Sequence, residues 1–574
     1  MKQSILRRTL ILLWIVLPLL SVQAAELSQP TYEVKVELDV KVPMSDGVLL
    51  STNIYRPDDP GKFPVILIRT PYGNGNEKNS TGRFYAERGY AAVIQDTRGR
   101  FESGGDFRPI FNEMQDGFEA QVWAATQEWS NGKLGTAGSS YVGTTQWLPA
   151  LLANKHLMAM FPMFTSGDFH DTLYIGGAFR LAFFGGWAVN IIRTPEQRKS
   201  SPVDWSKVSR HLPLITLNEK AVGSESSILR EWFSHPDNND HWNQVSVQDN
   251  YEAIQVPSYI ITGWYDLFPK DSFTDFNGVR HLSSNPMARE NQHIIVGSWG
   301  HGIGKGGRLG EMDYGAHSSV NAREIQLRWF DYWLKGIDTG VKDDPPVRIF
   351  VMGENVWRNE QEWPLARTQY TKYYFHSKGK ANTSSGDGIL SIKSPADEPK
   401  DSYVYDPEDP VPSVSSMPVD HSSVEKREDV LVYTGPELID DVEVTGPISV
   451  ELYAATTVRD TDFTAKLVDV YPDGRAIYLC DGIIRARYRE SFKEQKLLEP
   501  GKVYKYIIDV SVISNVFRKG HRVRVEISSS SFPQFDRNTN TGNTFAQDAE
   551  VISATQTIYH DSDHPSHILL PIIP

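Results

Sequence analysis

Four short apolar runs, Val65 to Ile68, Ala91 to Ile94, Tyr259 to Ile261 and Ile294 to Val296, most constrain how this chain folds. A strand with one wet face alternates apolar and polar side chains, so a run without alternation suits a strand covered on both faces of a parallel sheet. Helical segments between the runs complete a βαβ pattern and point to the α/β class. Ahead of them Val34, Val36, Leu38 and Val40 alternate with polar residues. Ser45-Asp46-Gly47 then turns the chain into Val48 to Tyr55, an antiparallel opening hairpin. Asp116-x-x-Glu119 reads as a capping box opening a helix with Phe118, Val122 and Ala125 on one face.

The chain has 574 residues, too many for one core, and its character changes along its length. From about Ser166 to Asp249 the strand runs stop and aromatics gather, among them Phe183, Phe184, Trp187, Trp205, Trp232 and Trp242, as expected of a helical insertion. Ile325, Trp329, Tyr332 and Trp333 then follow helical spacing, with Gly336 as the stop. The last third alternates, in Val442 to Leu452, Thr464 to Val470 and Arg522 to Ile527, with turn signals such as Pro472-Asp473-Gly474 between strands. The polar stretch Ser377 to Asp420 reads as an extended surface crossing. The expected architecture is a sheet domain over 31–165 and 250–338, a helical cap over 166–249 and an all-β jelly roll over 345–574.

Lys2, Arg7 and Arg8 precede the apolar run Leu10 to Leu20, and Val22-Gln-Ala-Ala25 follows, a secretory signal over 1–24 rather than a span. The expected location is periplasmic or secreted, with no stable membrane span once the signal is removed. Losing those three cations takes the formal charge from -14 to -17, which disfavours nucleic acid as a partner. Cys480 is the only cysteine, so no intramolecular disulfide can form, and its place in an alternating segment suits packing in a strand.

Within this frame Gly138-Ser-Ser-Tyr-Val-Gly143 places a glycine-flanked serine where a strand gives way to a helix. Such a turn lifts a hydroxyl clear of the sheet and aims the next backbone N–H at a developing oxyanion. Ser140 has Gly138 two residues before it and Ser139 has Ala137, so Ser140 is the candidate nucleophile; Val142 stands where a strict Gly-x-Ser-x-Gly pattern has its last glycine. On such a sheet the acid and base follow the serine, in that order, on loops beyond later strands. Thr262-Gly-Trp-Tyr-Asp266 sets Asp266 beyond one run, and Gly297-Ser-Trp-Gly-His301-Gly302 sets His301 beyond the next. Tyr72, in Arg69-Thr-Pro-Tyr-Gly73, either adds a phenolic oxyanion donor beside the Tyr141 N–H or is a buried tyrosine bonded to backbone.

Other patterns read as structure. Gly302-x-Gly304-x-x-Gly307 lacks a following helix and is a loop rather than a dinucleotide site. His560, His564 and His567 read as a terminal turn rather than metal ligands, and Asp237 to His241 as a loop. Arg98 and Arg100 read as partners in structural ion pairs.

Taken together, Arg69-Thr-Pro-Tyr-Gly73, Gln95-Asp-Thr-Arg-Gly-Arg100, Gly138 to Gly143 with Thr145-Gln-Trp147, Gly263-Trp-Tyr-Asp266 and Gly297-Ser-Trp-Gly-His301 resemble the cocaine esterase and Xaa-Pro dipeptidyl-peptidase-like hydrolases, which include α-amino acid ester hydrolases and glutaryl cephalosporin acylases. Asp462-Phe-Thr-Ala-Lys466 and Pro533-Gln-Phe-Asp-Arg-Asn538 resemble that family's C-terminal domain. The resemblance implies an α/β-hydrolase domain, an inserted helical cap and a jelly roll. It also implies Ser140 as nucleophile, His301 as base, Asp266 as orienter and Tyr72 with the Tyr141 N–H as oxyanion hole. Phe268 falls where the family's cocaine esterases have an aromatic acyl-pocket wall, implying an apolar acyl group. The acidic residues with which its amino acid ester hydrolases hold an ammonium group are replaced after Asp266 by Leu267, Phe268 and Pro269, leaving Asp168 or Asp171 as other sources of such a contact.

The expected function is that of an exported serine hydrolase cleaving ester or amide bonds of small acyl substrates through an acyl-enzyme, with no cofactor and no metal. The rivals are an Xaa-Pro dipeptidyl-peptidase or glutaryl cephalosporin acylase-type amidase and, in another class, a non-catalytic wall- or glycan-binding protein on a hydrolase scaffold. A homo-oligomer is compatible with the sequence.

Overall fold

The computed structural model describes residues 26–574, so the expected signal at 1–24 lies outside the described residues. β1 (Val34–Pro43) and β2 (Leu49–Pro57) form the opening hairpin, and β2 pairs antiparallel with β4 of the strands that follow. β3 (Phe63–Thr70), β4 (Ala91–Asp96), β5 (Ser130–Ser139), β6 (Leu157–Met163), β7 (Ser258–Gly263) and β8 (Gln292–Gly297) lie mutually parallel in the spatial order β4-β3-β5-β6-β7-β8. Every residue of β4, β7 and β8 is buried, which is why these segments do not alternate. Cover comes from α1 (Ser80–Ala86), α2 (Glu113–Ala125) and α3 (Tyr141–Ala150) after the early strands. α4 (Gly186–Ile191) lies in the insertion between β6 and β7, and after the later strands cover comes from α5 (Pro269–Leu282) and α6 (Ala322–Phe330). The sheet does not stop near 338: β9 (Val347–Val351) pairs parallel with β8, and β10 (Val356–Glu360) closes that edge antiparallel, within the span assigned from sequence to the jelly roll.

Helix α2 differs from its sequence reading. It starts at Glu113 after Asn112, so Asp116 lies inside it rather than at its cap. Asp116 is taken by Arg98 (Nε to Oδ2 2.9 Å, Nη2 to Oδ1 2.7 Å), and Glu119 accepts from the N–H and hydroxyl of Ser45 at 2.8 and 2.6 Å. Tertiary partners, not the helix's own N–H groups, claim these carboxylates. Gly117, Ala120, Ala124 and, as expected, Ala125 are buried, with Phe118 and Val122 only half-buried. A Cβ at Gly117 would stand 2.2 Å from Pro149 Cγ, so this glycine sets how closely α2 approaches α3.

Between β6 and β7 the chain forms short helices and a small hairpin, Tyr174–Ile175 with Ala178–Phe179, around buried Trp232 and Trp242. From Gln369–His376 to His567–Ile573 the chain builds an eleven-stranded, almost wholly antiparallel sheet, the C-terminal all-β jelly roll. Cys480 is buried in the strand Ala476–Arg485. The stretch Ser377 to Asp420 is not only a crossing, for it supplies Ile389–Ser391 and Asp401–Tyr405. In the latter Tyr403 and Tyr405 point inward, and flanking polar residues mask the alternation in sequence. Among the described residues no helix is long and apolar enough to cross a membrane.

A buried ion cluster fastens the cap to the jelly roll. The Arg485 guanidinium pairs with Asp462 and with Asp536, each at 2.9 Å, and the other oxygen of Asp536 accepts from the Phe179 N–H at 2.7 Å. The Arg485 N–H donates to the Gly176 carbonyl at 2.8 Å. All three charged side chains are at least 95% buried. Replacing Arg485 with leucine leaves two carboxylates without their cation, so Arg485→Leu should lower unfolding free energy by about 3–5 kcal/mol in urea titration.

Candidate active site

Strand β5 ends at Ser139, helix α3 begins at Tyr141, and Ser140 between them holds φ +61° and ψ -130°. A non-glycine residue there stores about 1–3 kcal/mol of strain, met by surrounding contacts. The Ser140 N–H donates to the Met163 carbonyl at 2.9 Å, and its own carbonyl accepts from Gly143 and Thr144 at 2.7 and 3.1 Å. Gly138 must be glycine because a Cβ would lie 2.2 Å from Val142 Cγ1. Val142, in place of the expected last glycine, thus packs directly over the strand end.

The loops after β7 and β8 are bonded to each other through the Trp264 N–H to the Gly297 carbonyl and the Tyr265 N–H to the Trp299 carbonyl, both at 2.9 Å. They bring Asp266 and His301 to the serine. His301 Nδ1 lies 2.7 Å from Asp266 Oδ1, and His301 Nε2 lies 2.9 Å from Ser140 Oγ. A carboxylate oxygen can only accept, so Nδ1 carries hydrogen and Nε2 is left to accept from the Ser140 hydroxyl. The Asp266 side chain is fully buried and also accepts from Thr262 Oγ1 at 3.2 Å, while the His301 side chain is 30% exposed. Ser139 ends its strand beside Met163, and Ser140 is the serine that meets the imidazole.

Tyr72 is half-exposed, and its hydroxyl accepts from Trp187 Nε1 at 3.1 Å. Burial pushes this phenol above its ordinary value; the hydrogen bond from Trp187 and the Arg100 charge pull the other way. The Tyr141 N–H belongs to the first turn of α3, where no helix carbonyl can satisfy it. Its phenol is bound underneath, donating to Glu113 Oε1 at 2.8 Å and accepting from the Ile110 N–H at 2.9 Å, and Glu113 Oε2 meets Arg69 Nη1 at 2.5 Å.

Beside the serine opens a cavity walled by Phe169, Phe183, Phe184, Trp187 and Phe268. The rings of Phe183 and Phe268 stand 5.5 and 5.6 Å from the His301 ring. Sequence reasoning reached Phe268 but gave no site role to Phe183 or Trp187; the aromatic density of the insertion was the only signal. Among the described residues no acidic side chain lines the cavity. Asp168 accepts from the Asp171 N–H and the Ser246 hydroxyl at 3.0 and 3.1 Å, and Asp171 pairs with His170 at 3.1 Å, so both are engaged elsewhere.

Arg98 pairs with Asp116 and Asp46, as expected. Arg100 does not form an ion pair among the described residues; its Nε donates to the Pro71 carbonyl at 3.0 Å and its Nη2 to the Ile191 carbonyl at 2.5 Å. Gly302 to Gly307 is a loop. His560 is buried and bonds Asp401 at 2.9 Å and Ser377 at 3.1 Å.

Comparison with known proteins matches residues 46–303 to the X-Pro dipeptidyl-peptidase (S15) family and residues 339–569 to the X-Pro dipeptidyl-peptidase C-terminal non-catalytic domain. The chain is 38% identical over 575 residues to a cocaine esterase of Rhodococcus sp. (strain MB1 Bresler), an alignment covering 93% of this chain and 98% of that one. Among solved structures, an aminopeptidase from a marine sediment archaeon (Thaumarchaeota archaeon) superposes with a TM-score of 0.81 at 25% identity, covering 97% of this chain and 99% of that one. An α-amino acid ester hydrolase shares the fold with a TM-score of 0.80 at 23% identity over the same shares of each chain.

Filling the space at Gly138 should disturb the site without unfolding the sheet. Gly138→Ala must push Val142 and the start of α3, so kcat for a chromogenic short-acyl ester should fall roughly 100-fold while the far-ultraviolet circular dichroism stays unchanged.

Proposed function

The chain belongs to the X-Pro dipeptidyl-peptidase (S15) family and is a serine hydrolase, and we propose that it cleaves ester or amide bonds of small substrates with an apolar acyl group through an acyl-enzyme on Ser140. The observation that carries this reading is the unbroken hydrogen-bond chain from Asp266 through His301 to Ser140, at 2.7 and 2.9 Å. In it Ser140 Oγ attacks the acyl carbon as His301 Nε2 takes the hydroxyl proton. Asp266 holds the imidazole by Nδ1 and stabilises its charge as it forms. The Tyr72 hydroxyl and the Tyr141 N–H bind the oxyanion. His301 then returns the proton to the leaving group. Water, activated by the same imidazole, releases the acid and restores the serine.

The substrate class follows from the cavity. Its walls are aromatic and among the described residues no carboxylate lines it to hold an ammonium group, so an apolar acyl group with no free α-amine fits it. Phe268 and Phe183 would flank that acyl group beside His301. Residues 166–249 act as the cap that encloses it, over a hydrolase domain that precedes the jelly roll. The amino-terminal pattern of residues 1–24 supports export to the periplasm or beyond.

Ser140→Ala should lower turnover about a million-fold and abolish labelling by a fluorophosphonate probe, whereas Ser139→Ala should keep both within a few-fold. Tyr72→Phe should cost roughly 100-fold in kcat. Equal loss from Ser139→Ala in a folded protein would move the nucleophile. Short-acyl aryl esters should be cleaved far faster than an Ala-Pro anilide, and N-blocking that anilide should not reduce its rate. A strong preference for the free amine would replace this reading with dipeptidyl-peptidase activity.

A further inference from the structure

Trp187 lies on α4 (Gly186–Ile191) of the cap and touches both residues assigned to the oxyanion hole. Its indole lies nearly parallel to the rings of Tyr141, at 5.9 Å and 15°, and Trp232, at 5.9 Å and 17°. In that position its one polar atom, Nε1, donates to the Tyr72 hydroxyl at 3.1 Å. The same helix is fastened to the loop that carries Tyr72, because Arg100 bridges the Pro71 carbonyl and the Ile191 carbonyl.

A phenol has one hydrogen to give, and that hydrogen swings about the C–O bond, so an oxyanion donor of this kind works only when something fixes its direction. An indole N–H donates and never accepts. With Trp187 occupying an acceptor direction of the Tyr72 oxygen, the Tyr72 hydrogen cannot point at the indole and is left to point into the cavity that Tyr72 lines together with Ser140. Accepting a hydrogen bond also makes the O–H a better donor, since successive hydrogen bonds polarise one another.

We infer that Trp187 is a positioning residue that acts through Tyr72: its N–H orients and polarises the Tyr72 hydroxyl toward the oxyanion, so that a cap helix completes the oxyanion hole. This rests on the assignment of Tyr72 to that hole. The bond is realised most fully when charge develops on the substrate oxygen, so the loss of the N–H falls on kcat rather than on KM. A role confined to walling the acyl cavity would fall mainly on KM and would not depend on Tyr72.

The test is a double-mutant cycle on a short-acyl aryl ester, using Trp187→Phe, Tyr72→Phe and the pair, with thermal melting of each variant. Trp187→Phe keeps an aromatic ring in the stack and removes the N–H. It should lower kcat about 10-fold with KM changed no more than about 2-fold, and should cost nothing further in the Tyr72→Phe background. Replacing the Trp187 indole with benzothiophene, by incorporating β-(3-benzothienyl)alanine there, changes the N–H to sulfur in nearly the same shape. It should reproduce the loss even if the phenylalanine variant is unstable. Equal losses from Trp187→Phe in both backgrounds, a change in KM alone, or full activity of the benzothiophene protein would overturn the inference. If Tyr72→Phe itself leaves kcat unchanged, the assignment of the oxyanion hole falls first and takes the inference with it.

Discussion

The left-handed backbone of Ser140 is affordable only because the sheet around it is parallel and buried. With β3 on one side and β6 on the other, β5 delivers its last residue against fixed neighbours. The Ser140 N–H is bound by Met163 of β6. Gln146 on α3 adds a second brace. Its side-chain nitrogen lies 3.3 Å from the carbonyls of both Gly138 and Phe161, and its oxygen accepts from the Phe161 N–H at 3.1 Å. Below, Tyr141 is anchored to Glu113, which is itself neutralised by Arg69. Burial drives the Glu113 carboxyl above its ordinary value, and Arg69 with Tyr141 opposes that shift. The strained residue is therefore held from the strand, the helix and the floor, and its hydroxyl meets His301 without further adjustment.

The parts of the molecule legible in sequence are those whose physics is local. Runs without alternation announced β4, β7 and β8 because two-sided burial leaves no place for polar residues. Gly138 announced the turn because no side chain fits there. Asp266 and His301 followed from the rule that loops at the carboxyl ends of parallel strands converge. The parts that were not legible depend on distant partners. Asp116 and Glu119 have the spacing of a capping box, but Arg98 and Ser45, far away in sequence, use them differently. Arg100 has the look of half an ion pair, yet it spends its donors on main-chain carbonyls. Strands β9 and β10 fell beyond the expected end of the sheet because the helical stop at Gly336 is a local signal, whereas sheet membership is decided by pairing with β8. Trp187 was visible only as one of many aromatics, since nothing in a sequence says which indole faces a phenol.

Seen through these distant contacts, the cap is part of the site rather than a lid laid over it. It reaches the loop of Tyr72 through Trp187 and through Arg100, which grips Ile191. It reaches the loop of Asp266 and Phe268 through Arg180, whose Nη1 donates to the Leu267 carbonyl at 2.9 Å. It reaches the jelly roll through Phe179 and Gly176, which bind the Asp536 and Arg485 cluster. Aromatic rings placed by three such fixings keep a constant position relative to His301. An apolar cavity of that kind selects by shape, because dispersion contacts lose much of their strength over gaps of 0.5–1 Å. Among the described residues its lining carries no carboxylate, so a charge brought into it would lose hydration without a lining counter-charge to meet it. The jelly roll thus bears on the shape of the cavity without lining it, by holding the cap hairpin whose neighbours, Phe183 and Phe184, form the wall.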